Sequence, residues 1–121
     1  MQKKILVTDD AMFMRHMLKT LLIANKFMVY EAANGQEALA QYAQIQPDLV
    51  LMDITMPVMD GIEATRALKS EHPDAKIVMC SAMGQKNMVV EAIQAGAKDF
   101  VVKPFQPEQV LECVRKQIGS A

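Results

Sequence analysis

Five polar side chains that could take part in phosphate or metal chemistry each follow a short apolar run of the sequence. Asp9 and Asp10 follow KILVT, Asp53 follows DLVLM, Ser81 follows KIVMC, and Lys103 follows DFVV. Carboxylates, a hydroxyl and an ammonium group can together bind a divalent cation and a phosphoryl group. Asp53 lies in LMDITMPVMDG, where Pro57 and Gly61 predict a sharp turn directly after it.

The apolar runs alternate with segments of helical spacing. The runs occupy residues 4–8, 27–32, 48–52, 76–80 and 99–102, and continuous runs of this kind are typical of strands buried on both faces. Apolar residues recur at helical spacing between them, as in Phe13, Met14, Met17, Leu18, Leu21 and Leu22. Five strands alternating with five helices predict an α/β domain with a parallel sheet and right-handed crossovers.

Helix start and stop signals agree with this alternation. They are Asn34 with Glu37 before the second helix, Gly61 at the start of the third, His72-Pro73 after it, Gly96 after the fourth, and Pro107 in the first turn of the fifth. The sequence has no linker, repeat or low-complexity stretch, which predicts one domain over residues 1–121. The last predicted helix runs nearly to the final residue, so no output domain is expected.

In an open parallel sheet the carboxyl ends of the strands share one edge, where ligands bind. We therefore expect the five polar side chains to converge there. Two carboxylates about 4 Å apart repel by about 4 kcal/mol at an effective dielectric near 20, so three of them need a counter-charge. Lys103 supplies one positive charge and a divalent cation would supply two more. Ligation by oxygen alone, without His or Cys, favours Mg²⁺, with Mn²⁺ as a substitute.

This set of residues indicates phosphoryl transfer. Asp53 could attack phosphorus in line while the cation and Lys103 neutralise the phosphoryl oxygens. Ser81 could donate a hydrogen bond to a phosphoryl oxygen. The turn after Asp53 would keep its carboxylate accessible and leave the Thr55 backbone carbonyl free to face the metal.

Composition excludes several classes of function. The 121 residues carry a net charge of −1, from 13 basic and 14 acidic residues, which gives no electrostatic footprint for nucleic acid or an anionic membrane. No apolar segment approaches the roughly 18–20 residues needed to cross a bilayer. Cys80 and Cys113 form no disulfide framework, and Cys80 is expected to be buried. We expect a cytoplasmic monomer that binds neither nucleic acid nor membrane.

The chain resembles the receiver domains of response regulators over nearly its full length, and among them the stand-alone chemotaxis regulators most. The matching segments are VTDDAMFMR, LMDITMPVMDG, CSAMG, AGAKDF and VVKPF, in that order. The resemblance, rather than the spacing of the elements, implies a flavodoxin-like (βα)5 fold with strand order 2-1-3-4-5. It also implies a two-component signalling protein that assists its own phosphorylation and dephosphorylation and is otherwise no enzyme.

The resemblance implies a role for each site residue. Asp53 would be the phosphoacceptor, Asp10 a direct Mg²⁺ ligand, Asp9 a ligand through water, and the Thr55 carbonyl a further ligand. Lys103 would contact the phosphoryl group, Ser81 would move toward it after transfer, and Phe100 would swing inward behind Ser81. A cis peptide is implied between Lys103 and Pro104.

The implied partners are a histidine kinase, a flagellar motor switch protein such as FliM, and a phosphatase.

Two positions depart from the commonest family pattern. Ser81 replaces a frequent threonine and keeps the hydroxyl. Phe100 stands where chemotaxis regulators often carry tyrosine, so no hydroxyl is available there to hydrogen-bond a partner. Thr55 and Met83 occupy the two variable positions that tune dephosphorylation in the family.

Three alternatives differ in function. A phosphorelay intermediate would pass the phosphoryl group onward to a histidine phosphotransfer protein. A receiver acting only as a binding module would not be phosphorylated, which the complete acidic cluster disfavours. A haloacid-dehalogenase-like phosphatase would normally carry a second aspartate two residues after the nucleophile, where this chain has Thr55.

Overall fold

The computed structural model describes residues 2–120 of the chain, in which strands and helices alternate. The strands are β1 (Lys4–Thr8), β2 (Met28–Ala32), β3 (Leu49–Asp53), β4 (Ile77–Ser81) and β5 (Asp99–Val102). The helices are α1 (Met12–Ala24), α2 (Gly35–Ile45), α3 (Gly61–Glu71), α4 (Lys86–Gln94) and α5 (Pro107–Ile118). All strand pairs are parallel and the order is β2-β1-β3-β4-β5, which confirms the predicted fold.

The sheet is covered on both faces, because alternate residues of each central strand enter different cores. Leu6, Val50 and Met79 pack with apolar residues of α2, α3 and α4. Val7 and Leu51, which alternate with them, pack with residues of α1 and α5 on the opposite face. This double covering explains why the strands read as continuous apolar runs and why their ends are the places left for polar chemistry.

The helix ends follow the predicted signals, with one addition. The Asn34 side chain caps α2 by accepting from the Glu37 N–H at 2.9 Å, and Pro107 opens α5. The third helix also has a full capping box that the sequence reading missed. Asp60 accepts from the Glu63 N–H at 2.8 Å, and Glu63 accepts from the Asp60 N–H at 3.2 Å.

The apolar stripe predicted for α1 is only partly buried. Leu18 and Leu22 lie in the core, but Phe13 is 70% exposed and Met17 is 38% exposed. Helical periodicity identifies one face of a helix, but it does not say how far the sheet extends beneath that face.

Cys80 is buried as predicted. Among residues 2–120, no helix combines the length and apolar character needed to cross a membrane.

Candidate functional site

The carboxyl edge of the sheet gathers three carboxylates and one lysine. Asp9, Asp10 and Asp53 each present an oxygen within 4.8 Å of the other two. Lys103 Nζ lies 2.8 Å from Asp9 Oδ2 and 3.2 Å from Asp53 Oδ1, so a single ammonium bridges two of them. Asp9 and Asp53 are buried, whereas Asp10 is exposed to solvent. Oxygen ligands at this separation could hold a metal ion, and the exposed side of the cluster gives access to it.

The single positive charge of Lys103 does not balance the negative charges of the three carboxylates. Burial and the neighbouring Asp9 charge raise the pKa of Asp53 from its ordinary 3.8 to about 6, although Lys103 acts in the opposite direction. Burial by itself would lower the pKa of Lys103, but hydrogen bonding and charge attraction from Asp9 and Asp53 outweigh it and raise that pKa. A divalent cation fits this donor set because it supplies the charge that one lysine does not.

Asp53→Asn is expected to stabilise the metal-free protein at neutral pH by about 1–2 kcal/mol. A folded-state pKa above the unfolded one gives stability that is present at low pH and is lost as pH rises from about 4 to about 6. The Asp53→Asn side chain is an amide that does not ionise, so the variant does not lose this stability, which is worth about 1.4 kcal/mol per pH unit. The weaker contact of Lys103 with the amide offsets part of that gain in stability.

Urea unfolding in EDTA at pH 5 and pH 7.5 measures this effect. The stability gain of Asp53→Asn should be larger at pH 7.5 than at pH 5. An equal or smaller gain at pH 7.5 would contradict the raised pKa of Asp53 in the folded protein.

Gly61 fixes the turn that follows Asp53. Its N–H donates to the Ile54 carbonyl at 2.7 Å, and a Cβ built on Gly61 would lie 2.0 Å from the Asp53 carbonyl oxygen. Within the loop, the Met59 N–H donates to the Pro57 carbonyl at 2.7 Å around Val58, which has a φ of +70°. The turn therefore packs directly against the backbone of Asp53, which explains why residue 61 is a glycine.

Ser81 lies at the end of β4 and is buried. Its carbonyl accepts from the Lys103 N–H at 2.7 Å, so the hydroxyl and ammonium residues are joined through their backbones. Register places Cys80 opposite Asp53 and Val102 opposite Ser81. Four neighbouring strands, β1, β3, β4 and β5, thus bring the predicted residues to one edge.

Gln85 links two of the loops at this edge, a contact that the sequence reading missed. Its side-chain oxygen accepts from the Ala82 N–H at 2.6 Å, and its amide nitrogen donates to Thr55 Oγ1 at 3.0 Å. Thr55 is otherwise exposed. A contact between residues 30 positions apart has no signature in periodicity or motif spacing.

Phe100, on β5, is 43% exposed. It borders a largely apolar groove of about 310 Å³, which also contacts Ser81, Val89 and Val102. The groove offers space beside Ser81 that an aromatic ring could enter.

The Lys103-Pro104 peptide is cis, as the resemblance implied.

Comparison with known proteins decides the family. Residues 5–115 match the response regulator receiver domain family. The chain belongs to that family. This receiver is 56% identical to the chemotaxis protein CheY of Bacillus subtilis over 120 residues, which cover 98% of this chain and all of that protein. It is 54% identical to CheY of Thermotoga maritima, with 96% of this chain and 98% of that protein covered.

A solved structure gives the same likeness. Chemotaxis protein CheY4 of Vibrio cholerae superposes on this receiver with a TM-score of 0.91 at 30% identity, covering 98% of this chain and all of that one. The predicted family and fold are therefore confirmed.

Proposed function

We propose that this receiver cycles between a free Asp53 carboxylate and an Asp53 acyl phosphate, with a histidine kinase supplying the phosphoryl group. The observation that carries the proposal is the carboxylate cluster bridged by Lys103 at the carboxyl edge of a receiver fold. An Asp53 oxygen would attack phosphorus while the bond from phosphorus to the kinase histidine nitrogen breaks, and the electron pair leaves on nitrogen. Later attack by water would restore the carboxylate and release inorganic phosphate.

We assign a Mg²⁺ site to Asp9, Asp10, Asp53 and the Thr55 backbone carbonyl, with Mn²⁺ as a substitute. Bound there, Mg²⁺ would neutralise charge on the phosphoryl oxygens. The contacts of Asp9 support its assigned role through water, because one of its oxygens accepts from the Ala11 N–H at 2.9 Å and the other from Lys103. Asp10 is exposed, which suits direct ligation.

Three residues would respond to the new charge. Lys103 would exchange its contact with Asp53 for one with a phosphoryl oxygen, and Ser81 would donate its hydroxyl to another. The Ser81 movement would vacate space that Phe100 fills from the groove beside α4. A receiver with two arrangements of these residues would be shifted toward one of them by phosphorylation, and the surface around Phe100 would change for its target.

The chemotaxis names of the relatives support a pathway from a chemotaxis kinase to a flagellar motor switch protein such as FliM, in the cytoplasm. The test is transfer of radiolabelled phosphate from the autophosphorylated kinase, followed by titration of the switch protein with the beryllofluoride form. Label on wild type but not on Asp53→Asn, with tighter binding to the switch protein, supports the proposal.

Other outcomes of that test separate the alternatives. Onward transfer of label to a histidine phosphotransfer protein would indicate a phosphorelay intermediate. Repeated turnover of a small phosphate ester would indicate a phosphatase. Absence of label on wild type would contradict the proposed chemistry.

A further inference from the structure

Arg15, in the first turns of α1, makes two contacts that reach the acidic pair. Its Nη1 donates to the Asp9 backbone carbonyl at 2.6 Å, and its Nε donates to Glu31 Oε1 at 3.1 Å. Its side chain is only 16% exposed. We propose that Arg15 is a positioning residue of the metal site, which fixes the backbone carrying Asp9 and Asp10 and so raises affinity for a divalent cation.

The position of the Asp9 carbonyl explains the need for such a residue. β1 ends at Thr8 and α1 begins at Met12, so this carbonyl lies beyond the strand and before the helix. The carbonyl belongs to the peptide that joins Asp9 to Asp10. A hydrogen bond to it therefore fixes the orientation of the unit from which both carboxylates project.

Glu31 holds the guanidinium in place. Glu31 lies on β2 opposite Val7, and the Asp9 N–H donates to the neighbouring Ala32 carbonyl at 3.1 Å. Arg15 thus ties the Asp9 carbonyl to the same strand that already holds the Asp9 N–H. The planar guanidinium can donate from Nε and Nη1 in two directions at once, whereas lysine has one nitrogen and no fixed fork.

A second lysine on α1 provides a matched control. Lys19 Nζ lies 3.4 Å from Glu31 Oε2, so it shares the anchor of Arg15. Its side chain is 42% exposed. Lys19→Met removes the same charge from the same carboxylate and leaves the hydrogen bond to Asp9 in place.

Charge and positioning predict opposite results, which makes the inference testable. A nearby positive charge repels a cation, so the loss of charge alone in Arg15→Met would leave Mg²⁺ affinity unchanged or tighter. Loss of positioning weakens it, and removal of a residue that orients metal ligands typically costs about 10–100-fold in affinity. Arg15→Lys keeps the charge, so a charge-only role predicts no change for that variant.

The experiment is a Mg²⁺ titration of the unphosphorylated protein by isothermal calorimetry, with urea unfolding in EDTA as a check on folding. Arg15→Met and Arg15→Lys should both bind Mg²⁺ about 10-fold more weakly than wild type, and Lys19→Met should match wild type. If Arg15→Met does not fold, Arg15→Lys decides. Unchanged or tighter binding by Arg15→Lys would overturn the inference, as would equal weakening by Lys19→Met.

The inference rests on the proposed function, and the two fail differently. Wild type that binds Mg²⁺ and beryllofluoride, with Arg15 variants that bind Mg²⁺ equally well, would overturn the role of Arg15 and leave the function standing. Wild type that does not bind Mg²⁺ would overturn both.

Discussion

Gly61→Ala is expected to destabilise the protein by about 3 kcal/mol and to weaken divalent-cation binding. The added Cβ would lie 2.0 Å from the Asp53 carbonyl oxygen and 2.9 Å from the Asp53 carbonyl carbon. Both are backbone atoms, so no flexible side chain can move aside. Relief requires displacement of Asp53 or of the start of α3, and forced shifts of this kind typically cost about 1–3 kcal/mol and occasionally more. Because the contact here is with backbone atoms, the cost is expected at the upper end of that range.

Urea unfolding with and without Mg²⁺ measures the effect, and Gly84→Ala is the matched control. Gly84 has a φ of +87°, but a Cβ there would meet nothing within 4 Å. Its substitution should therefore cost only the conformational penalty of about 1–2 kcal/mol and leave cation affinity unchanged. If Gly61→Ala were no more destabilising than Gly84→Ala, the close packing of the turn on Asp53 would be wrong.

Lys103→Met is expected to destabilise the metal-free protein by about 3 kcal/mol, yet to bind Mg²⁺ at least as tightly as wild type. The substitution removes the only ammonium that contacts Asp9 and Asp53 among the ion pairs of residues 2–120. Breaking a buried pair by removing one partner costs about 3–5 kcal/mol, and protonation of Asp53 relieves part of that. A cation then meets more negative charge than in wild type.

The comparison is urea unfolding in EDTA against saturating Mg²⁺, with exposed Lys98→Met as the control. Mg²⁺ should stabilise Lys103→Met more than wild type, and Lys98→Met should match wild type in both conditions. The beryllofluoride form of Lys103→Met should show a reduced switch in target binding. If Lys103→Met lost Mg²⁺ binding to the same extent as it lost the change in target binding caused by beryllofluoride, Lys103 would have to be treated as part of the metal site.

The sequence predicted the strands to within one residue at each end, because strands buried on both faces leave continuous apolar runs. It also predicted convergence of the five polar residues, because parallel strands place their carboxyl ends together. Strand order could not be obtained from spacing, since crossover helices of similar length permit several orders. The family resemblance supplied the order, and the structure confirms it.

The contacts that join separate elements were missed. Arg15 meets the Asp9 carbonyl only because α1 begins three residues after Asp9 and directs its first turns back over the end of β1. The Gln85 contact with Thr55 depends on the relative placement of two loops. Periodicity describes one element at a time, so neither contact had a signal in it.

The most direct test of the account is intact mass after incubation with acetyl phosphate, with Mg²⁺ or with EDTA, for wild type and Asp53→Asn. We expect one phosphoryl group on wild type with Mg²⁺, and none with EDTA or on the variant. Beryllofluoride, which binds as a phosphoryl mimic without turnover, guards against rapid hydrolysis of the adduct. Equal phosphorylation of Asp53→Asn, or no binding of either reagent by wild type with Mg²⁺, would contradict Asp53 as the phosphoacceptor.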